Sequence, residues 1–363
     1  MAHFSLKALE HSWKRVSMRA LAATVRTPPR GAAPDWDARP WRVLYIRYGR
    51  IGDMIMSTGV LRAIADSHTT IWLDVIASPA NITVLDGIPF VRDVIPFDRH
   101  DWRSFPRVWR RLRRARYDVV IDPMVLTPSV TTLLLLAASG APYRIGIGGR
   151  SNDFIYSMPV QARDASAHHI EQEAVTATPF GVPIEGTDWR PELVLTTDER
   201  ARAELVWRAG GGAGVETPRL LANISASLAH RAWPDDRYST ALRHVRARWP
   251  QVRVIVVSAP HDADRAVRIA TASDVQYVPT PKLRDALALV GTASAVFTPD
   301  TSIAHAASAF RKPAIVMLVR GSSIFSPYRN AGHAVYSQGG LLTSLGAGPV
   351  IHALDAVMRE LAV

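Results

Sequence analysis

The feature that most constrains this chain is an alternation of short apolar runs with helical segments, played twice along its length. In the first half, Arg42–Ile46, Ile71–Ala77, Val91–Phe97, Val119–Asp122 and Tyr143–Ile147 read as strands. Gly49–Asp53 reads as a turn, Met54–Asp66 as a helix, and another helix begins over Pro79–Asp86. A basic helix spans Trp102–Arg116 and an apolar one Thr127–Ser139. The second half repeats the pattern, with strands at Arg219–Ile224, Arg253–Val257, Ala295–Phe297 and Ala314–Leu318. Its helices are Pro234–Trp249, Asp262–Ala272, Leu283–Thr292 and Ser302–Phe310, with a last one in the tail Ser344–Val363. Parallel strands need crossovers, helices supply them, and such crossovers are right-handed. Ser151–Pro191 is less regular and broken by proline and glycine, so the connection between the halves is placed there or just after. The prediction is an α/β chain of two Rossmann-like domains, 41–190 and 191–363, with parallel sheets facing a central cleft. A basic extension, 1–40, precedes them, and the last helix packs back on the first domain. In such sheets ligands bind outside the carboxyl ends of the strands.

Length and charge narrow the function. The 363 residues leave room for two domains. There is no cysteine, which removes disulfides and thiolate metal sites and fits a reducing, cytoplasmic setting. The net charge is +11 and unevenly placed: residues 1–50 hold ten Lys and Arg against three acids, and Arg99–Arg116 holds eight arginines. A basic surface asks for an anionic partner, a membrane or a phosphorylated substrate. No zinc-finger spacing or RNA-binding aromatic signature accompanies the charge, so nucleic acid is set aside. No apolar stretch reaches the ~20 residues of a membrane span. Lys14, Arg15 and Arg19 interrupt Phe4–Val25, which therefore lacks a secretory core. Leu6, Leu9, Trp13 and Val16 recur at helical spacing there, which leaves two readings: an amphipathic helix on an anionic membrane, or a frayed basic extension.

Three constellations fall at the carboxyl ends of predicted strands. The first is Arg47-Tyr48-Gly49-Arg50-Ile51-Gly52-Asp53. Its glycines permit a tight turn and the approach of a ligand, while Asp53 reads either as a helix N-cap or as an acid at the cleft. The spacing is not that of a dinucleotide fingerprint. The second is Thr298-Pro299-Asp300-Thr301-Ser302-Ile303-Ala304-His305-Ala306-Ala307. Asp300 is a good N-cap, and the free N–H groups and hydroxyls of Thr301 and Ser302 would suit a phosphate. His305, one turn in, reads as a packed residue or as a site residue at the mouth. The third runs from Asn223-Ile224-Ser225 to His230-Arg231-Ala232-Trp233-Pro234. Arg231 is either a solvated loop cation or a diphosphate ligand, for which arginine has a bidentate fork.

Together these residues resemble glycosyltransferase family nine, the heptosyltransferases and their relatives, over roughly Val43 to Tyr328. The most specific piece is Thr298–Pro313 with its Asp-Thr-x-x-x-His order; Arg47–Asp53 with Arg62, Arg231–Pro234 and Tyr117–Asp122 support it. The resemblance implies a GT-B fold and an inverting, metal-independent transfer that needs no cofactor. It implies Asp53 as general base, and Arg47, Gly52 and Arg62 on the acceptor side. It implies Arg231, Asp300, Thr301, Ser302 and His305 at the nucleotide sugar, with Asn223 and Ser225 beside them. The family often has lysine where this chain has Arg231, and many members have glycine where it has Ser302. Asp262 and Asp264 are the weaker candidates for the ribose.

The implied partners are an ADP-heptose donor and an anionic, lipopolysaccharide-type acceptor, with peripheral membrane contact through the basic N-terminus. Such a transfer needs a base near the acceptor and an electropositive cradle at the leaving group. Two other readings stay open: the same fold using another nucleotide sugar or a protein acceptor, and a non-catalytic sugar-nucleotide or membrane-binding module.

Overall fold

The computed structural model describes residues 29–126, 128–209 and 217–361. The segment Phe4–Val25 lies outside the described residues, and so does most of the 1–40 extension.

Two six-stranded sheets form, and every pairing in them is parallel. The first sheet contains β1 (Trp41–Arg47), β2 (Ile71–Ala77), β3 (Asp93–Pro96), β4 (Val119–Asp122), β5 (Tyr143–Ile147) and β6 (Met158–Val160). The second contains β7 (Arg219–Asn223), β8 (Arg253–Val257), β9 (Gln276–Tyr277), β10 (Ala295–Pro299), β11 (Ala314–Leu318) and β12 (Gly332–Tyr336). The spatial order β3-β2-β1-β4-β5-β6 is matched by β9-β8-β7-β10-β11-β12. Both sheets therefore have the doubly wound order of a dinucleotide-binding fold, and each has one switch point. In the first it lies between β1 and β4, where Tyr45 sits opposite Ile121. In the second it lies between β7 and β10, where Ala222 sits opposite Phe297.

The strands read as apolar runs because crossovers cover both faces. All of β1 but Arg42 is buried, and so are all of β10 and β11. Strands and helices bury one apolar cluster around Leu44, Ile76, Val120 and Leu136, and another around Leu220, Val256, Phe297 and Leu354. Contacts divide the described chain into two compact units at Trp189 and Arg190. Two pieces of the first half, Ile51–Thr58 and Asp86–Ile88, belong to the second unit by their contacts.

Several elements depart from the sequence reading. The first helix spans Ile51–Ser67, so it begins before Met54 and takes in Gly52 and Asp53. The segment after β2 forms one short 3-10 turn, Ile82–Leu85, where a helix was expected from Pro79. Ser151–Pro191 is more ordered than its prolines suggested, holding β6 and the helix His169–Ala174. A helix at Thr197–Arg208 went unpredicted, as did the edge strands β9 and β12.

Candidate active site

All three sequence constellations sit at the switch points. Arg47–Asp53 leaves β1, Asn223–Pro234 leaves β7, and Asp300–His305 leaves β10.

In the second unit, β10 ends at Pro299 and the helix Ser302–Ala309 follows. Its N-cap is Thr301, whose hydroxyl accepts from the Ile303 N–H at 3.3 Å; Asp300, expected as the cap, lies one residue earlier. A cap in extended conformation lets the chain turn from strand to helix and satisfies one of the orphan N–H groups. Asp300 is instead buried and paired with Arg231, with Nη1 to Oδ2 at 2.8 Å. The acid's charge is thereby matched by a cation that is itself only partly exposed.

Asn223 holds this corner from below. Its Nδ2 donates to the Thr298 hydroxyl at 2.9 Å, to the Thr301 hydroxyl at 3.3 Å and to the Ser225 carbonyl at 3.3 Å. The Ser225 hydroxyl accepts from the Ala259 N–H at 2.8 Å, which ties the loop after β7 to the end of β8. Ser302 lies at the first position of the helix and is partly exposed. Trp233 is not at the surface. It is buried, donates from Nε1 to the Leu345 carbonyl at 2.7 Å, and packs edge-on against Tyr238 and Phe297. The Trp-Pro step is an anchor that fixes where Arg231 emerges.

Sequence reading missed Arg265, which fixes the same loop. It donates to the Ile224 carbonyl at 2.9 Å, to the Trp233 carbonyl at 2.5 Å and to Asp235 at 2.5 Å. Nothing in its local sequence marks it; the signal is that one guanidinium reaches both ends of the loop. Asp262 and Asp264 follow β8. Asp262 lies beside His261 at 3.5 Å, and Asp264 is in the first turn of the helix Ala263–Ser273. Close by, the Thr280 hydroxyl donates to the Ser258 carbonyl at 2.9 Å.

Gly52, which belongs to this unit by its contacts, packs directly on the same helix. A β-carbon at Gly52 would stand 3.1 Å from His305 Cδ2, 3.6 Å from Nε2 and 3.7 Å from the Ser302 Cα. A side chain there would force the His305 ring to give way by a few tenths of an ångström. The structure therefore brings Gly52, Ser302 and His305 together. Asp53 is the next residue after Gly52, in the first turn of its helix and not at its cap, and its carbonyl accepts from the Ser57 hydroxyl at 2.9 Å. His305 is buried.

In the first unit the base of the turn is clamped from two sides. Asn81, fully buried, donates to the Arg47 carbonyl at 3.0 Å and to the Gly49 carbonyl at 3.2 Å, and its Oδ1 accepts from the Ser78 N–H at 2.8 Å. Arg47 is 2 % exposed and its guanidinium lies on Glu173 at 2.8 Å, and the Tyr45 hydroxyl donates to the other Glu173 oxygen at 2.5 Å. Arg62, farther along the helix, donates to the Asp188 carbonyl at 2.6 Å. At the end of β4, Asp122 accepts from the Tyr156 hydroxyl at 2.6 Å and from the Met124 N–H at 3.1 Å. Burial pushes its carboxyl up despite those bonds and despite Arg47 and Arg150 nearby. Burial also raises the Tyr48 hydroxyl, which bonds Ser129 and Thr132 at 2.8 and 2.9 Å. Among the described residues no cluster of three or more His, Asp or Glu has the arrangement of a metal site.

The pattern of "Glycosyltransferase family 9 (heptosyltransferase)" matches residues 105–331. The chain is similar to the lipopolysaccharide core heptosyltransferase OpsX of Haemophilus influenzae, 21% identical over 83% of this chain and 86% of that protein. It is similar to lipopolysaccharide heptosyltransferase 2 of Salmonella typhimurium, 22% identical over 79% and 85%. Among solved structures, a family 9 glycosyltransferase from Veillonella parvula superposes with a TM-score of 0.78, 14% identity, and coverage of 90% and 99%. The E. coli heptosyltransferase WaaC with ADP does so with a TM-score of 0.69, 18% identity, and coverage of 88% and 99%.

Proposed function

The chain belongs to glycosyltransferase family 9 and has its GT-B fold, and from that premise we propose that it moves a heptose from ADP-heptose to an anionic acceptor of the lipopolysaccharide core. Its relatives carry that activity in their names, and one neighbour is the E. coli enzyme with a fluorinated ADP-heptose bound. The first domain, 41–190, takes the acceptor and the second, 191–363, the donor.

The observation that carries the reading is the packing of Gly52 on His305 and Ser302. It sets the turn bearing Asp53 against the helix whose N-terminus suits a phosphate. The Asp53 carboxylate takes the proton from the acceptor hydroxyl. The oxygen attacks the anomeric carbon from the face opposite the diphosphate, a C–O bond forms, the bond to the diphosphate breaks, and ADP leaves with the electron pair. The sugar inverts through an oxocarbenium-like state, as in inverting glycoside hydrolysis. Charge on the leaving diphosphate is met by Arg231 and by the N–H groups and hydroxyls of Thr301 and Ser302. In this scheme Asp300 keeps Arg231 in place until the donor arrives, then turns to the sugar hydroxyls. Asn223 and Ser225 hold the loop, Gly52 and Arg62 face the acceptor, and Arg47 acts from beneath by fixing the turn. No metal or cofactor enters the scheme. The enzyme works on the cytoplasmic face of the inner membrane, where such an acceptor is built.

The test is ADP release from ADP-heptose with a heptose-free lipid A–Kdo acceptor, wild type beside Asp53→Ala. Loss of a general base lowers kcat by about 10²–10⁴ while donor binding stays. Turnover by the variant at the wild-type rate removes Asp53 from the chemistry; saturable ADP-heptose binding without turnover on this acceptor redirects the acceptor assignment alone.

A further inference from the structure

We propose that the helix Ser104–Ala115 is a membrane-docking element that lies in the headgroup layer of an anionic phospholipid bilayer. The proposal rests on the membrane-face placement proposed above and names the element that makes the contact; it is independent of which sugar is moved.

The helix is two-faced by composition. Ser104, Val108 and Leu112 are buried, the latter two in the first unit's apolar cluster, and fix one face inward. Apart from Pro106, what it turns fully outward is arginine and tryptophan. Arg103, Arg107, Arg110, Arg111, Arg113, Arg114 and Arg116 are all exposed, and the helix itself carries no acid. Arg103, Arg107, Arg110 and Arg114 recur at helical spacing and form one stripe. Arg107, Arg110, Arg111 and Arg114, with Ala115, line an open surface pocket of about 510 Å³. Arg111 pairs with Asp93, whereas Arg107, Arg110 and Arg114 form no ion pair among the described residues.

Such a face is unfavourable on its own. Arg103 and Arg107, Arg107 and Arg111, and Arg110 and Arg114 stand four residues apart, where like charges repel along a helix. A solvated helix gains nothing from that arrangement; an anionic surface does.

Beside the arginine stripe stand two tryptophans. Trp102, two residues before the helix, is 77% exposed, and Trp109, on the helix, is 39% exposed. Trp109 leans on the partly buried Phe105 at 6.0 Å between rings. Large exposed indoles cost solvation in water and sit well at a headgroup boundary, where one edge is apolar and the other wet. Guanidinium groups match lipid phosphates bidentately. An arginine stripe with exposed indoles on and just before the same helix suits the headgroup layer, while the helix's apolar face stays in the protein core. It does not span: among the described residues no helix is long and apolar enough to cross a membrane. Charge, aromatic placement and the pocket thus point to lipid phosphates in a bilayer.

The experiment is co-sedimentation of the full chain with vesicles of phosphatidylcholine alone and of phosphatidylcholine mixed with phosphatidylglycerol. It is run beside Arg107→Gln/Arg110→Gln/Arg114→Gln and, separately, Trp102→Ser/Trp109→Ser. Glutamine keeps the helix, and all five side chains are exposed, so the fold is retained; donor binding in solution checks that. The wild type should bind the mixed vesicles, with a salt-sensitive affinity, and not the neutral ones. The triple variant should bind about a hundredfold more weakly. The tryptophan variant should bind more weakly too and lose the blue shift of fluorescence seen on binding. Equal binding by wild type and triple variant overturns the proposal and moves the contact elsewhere, as does absence of binding to the mixed vesicles. Inorganic phosphate that abolishes wild-type binding at unchanged ionic strength overturns it in favour of a soluble phosphate site, and tighter retention on RNA than on vesicles does so in favour of nucleic acid.

Discussion

At the scale of the residue, the site turns on two side chains and one missing side chain. Gly52 has none, and His305 Cδ2 would meet a β-carbon there at 3.1 Å. The His305 ring it would press on is buried. Gly52→Ala should therefore leave the fold in place, at a cost of about 1–3 kcal/mol of overpacking, while pushing the Asp53 turn off the helix Ser302–Ala309. Displacements of that kind lower turnover by about 10²-fold, and steady-state ADP release beside a thermal melt separates the two effects. Unchanged kcat would show that the contact positions nothing. Arg231 gives the complementary case. If its guanidinium holds the diphosphate, Arg231→Ala should weaken ADP binding about ten- to hundredfold, and Arg231→Lys should weaken it less, since charge survives and the fork does not. Isothermal titration with ADP reads both; equal affinity in all three proteins would return Arg231 to the role of a counter-ion for Asp300.

Elements hold these residues in place, and here the sequence speaks unevenly. The runs of β2, β4, β5, β8 and β11 are recovered residue for residue, because parallel strands covered on both faces are continuous and apolar. The edge strands are not. In β12 only Val335 is even partly buried, so no apolar pattern marks it, and β9 has two residues. The helix Thr197–Arg208 buries only Ala203 and Trp207, and its one clear signal is the capping box of Thr196 and Glu199, with bonds of 3.2 and 2.8 Å. For the site the loop motifs are legible, since their residue types carry chemistry. The scaffolding beneath them is not: Asn81, Glu173 and Arg265 act across long sequence separations that no local pattern encodes. Glu173 also makes a test. It is wholly buried between Arg47 and Tyr45, and removing one partner of a buried pair costs about 3–5 kcal/mol. Glu173→Gln should lower the urea midpoint accordingly, and a drop within error would mean that the pair contributes nothing net to the fold.

For the molecule as a whole, one acid-sensitive tie lies where the chain enters its second unit. Arg284 donates to both Glu199 oxygens, at 2.7 and 2.5 Å, and to the Val194 carbonyl at 2.6 Å. One guanidinium thus joins the helix Thr197–Arg208, the helix Leu283–Thr292 and the segment leading into the unit. The hydrogen bonds from Arg284 hold the Glu199 carboxyl down to about 2, from an ordinary 4.5. A carboxyl whose folded value is depressed adds its full stability while it is ionised in both states, and loses it progressively as the pH falls to the folded value. Its contribution is therefore complete above about pH 4.5 and falls away as the pH drops toward 2. Acid also raises the charge of a chain that already carries +11, and that self-repulsion lowers stability by a separate route. Glu199→Gln separates the two. The glutamine cannot titrate, yet it feels the same global repulsion. At neutral pH the variant should unfold at lower urea than the wild type, and the gap between them should shrink as the pH falls from about 4.5, because only the wild type is losing an ionised partner for Arg284. A gap that stays constant down to the acid limit would mean that Glu199 supports the second unit through packing and its cap, and that acid acts on the chain through net charge alone.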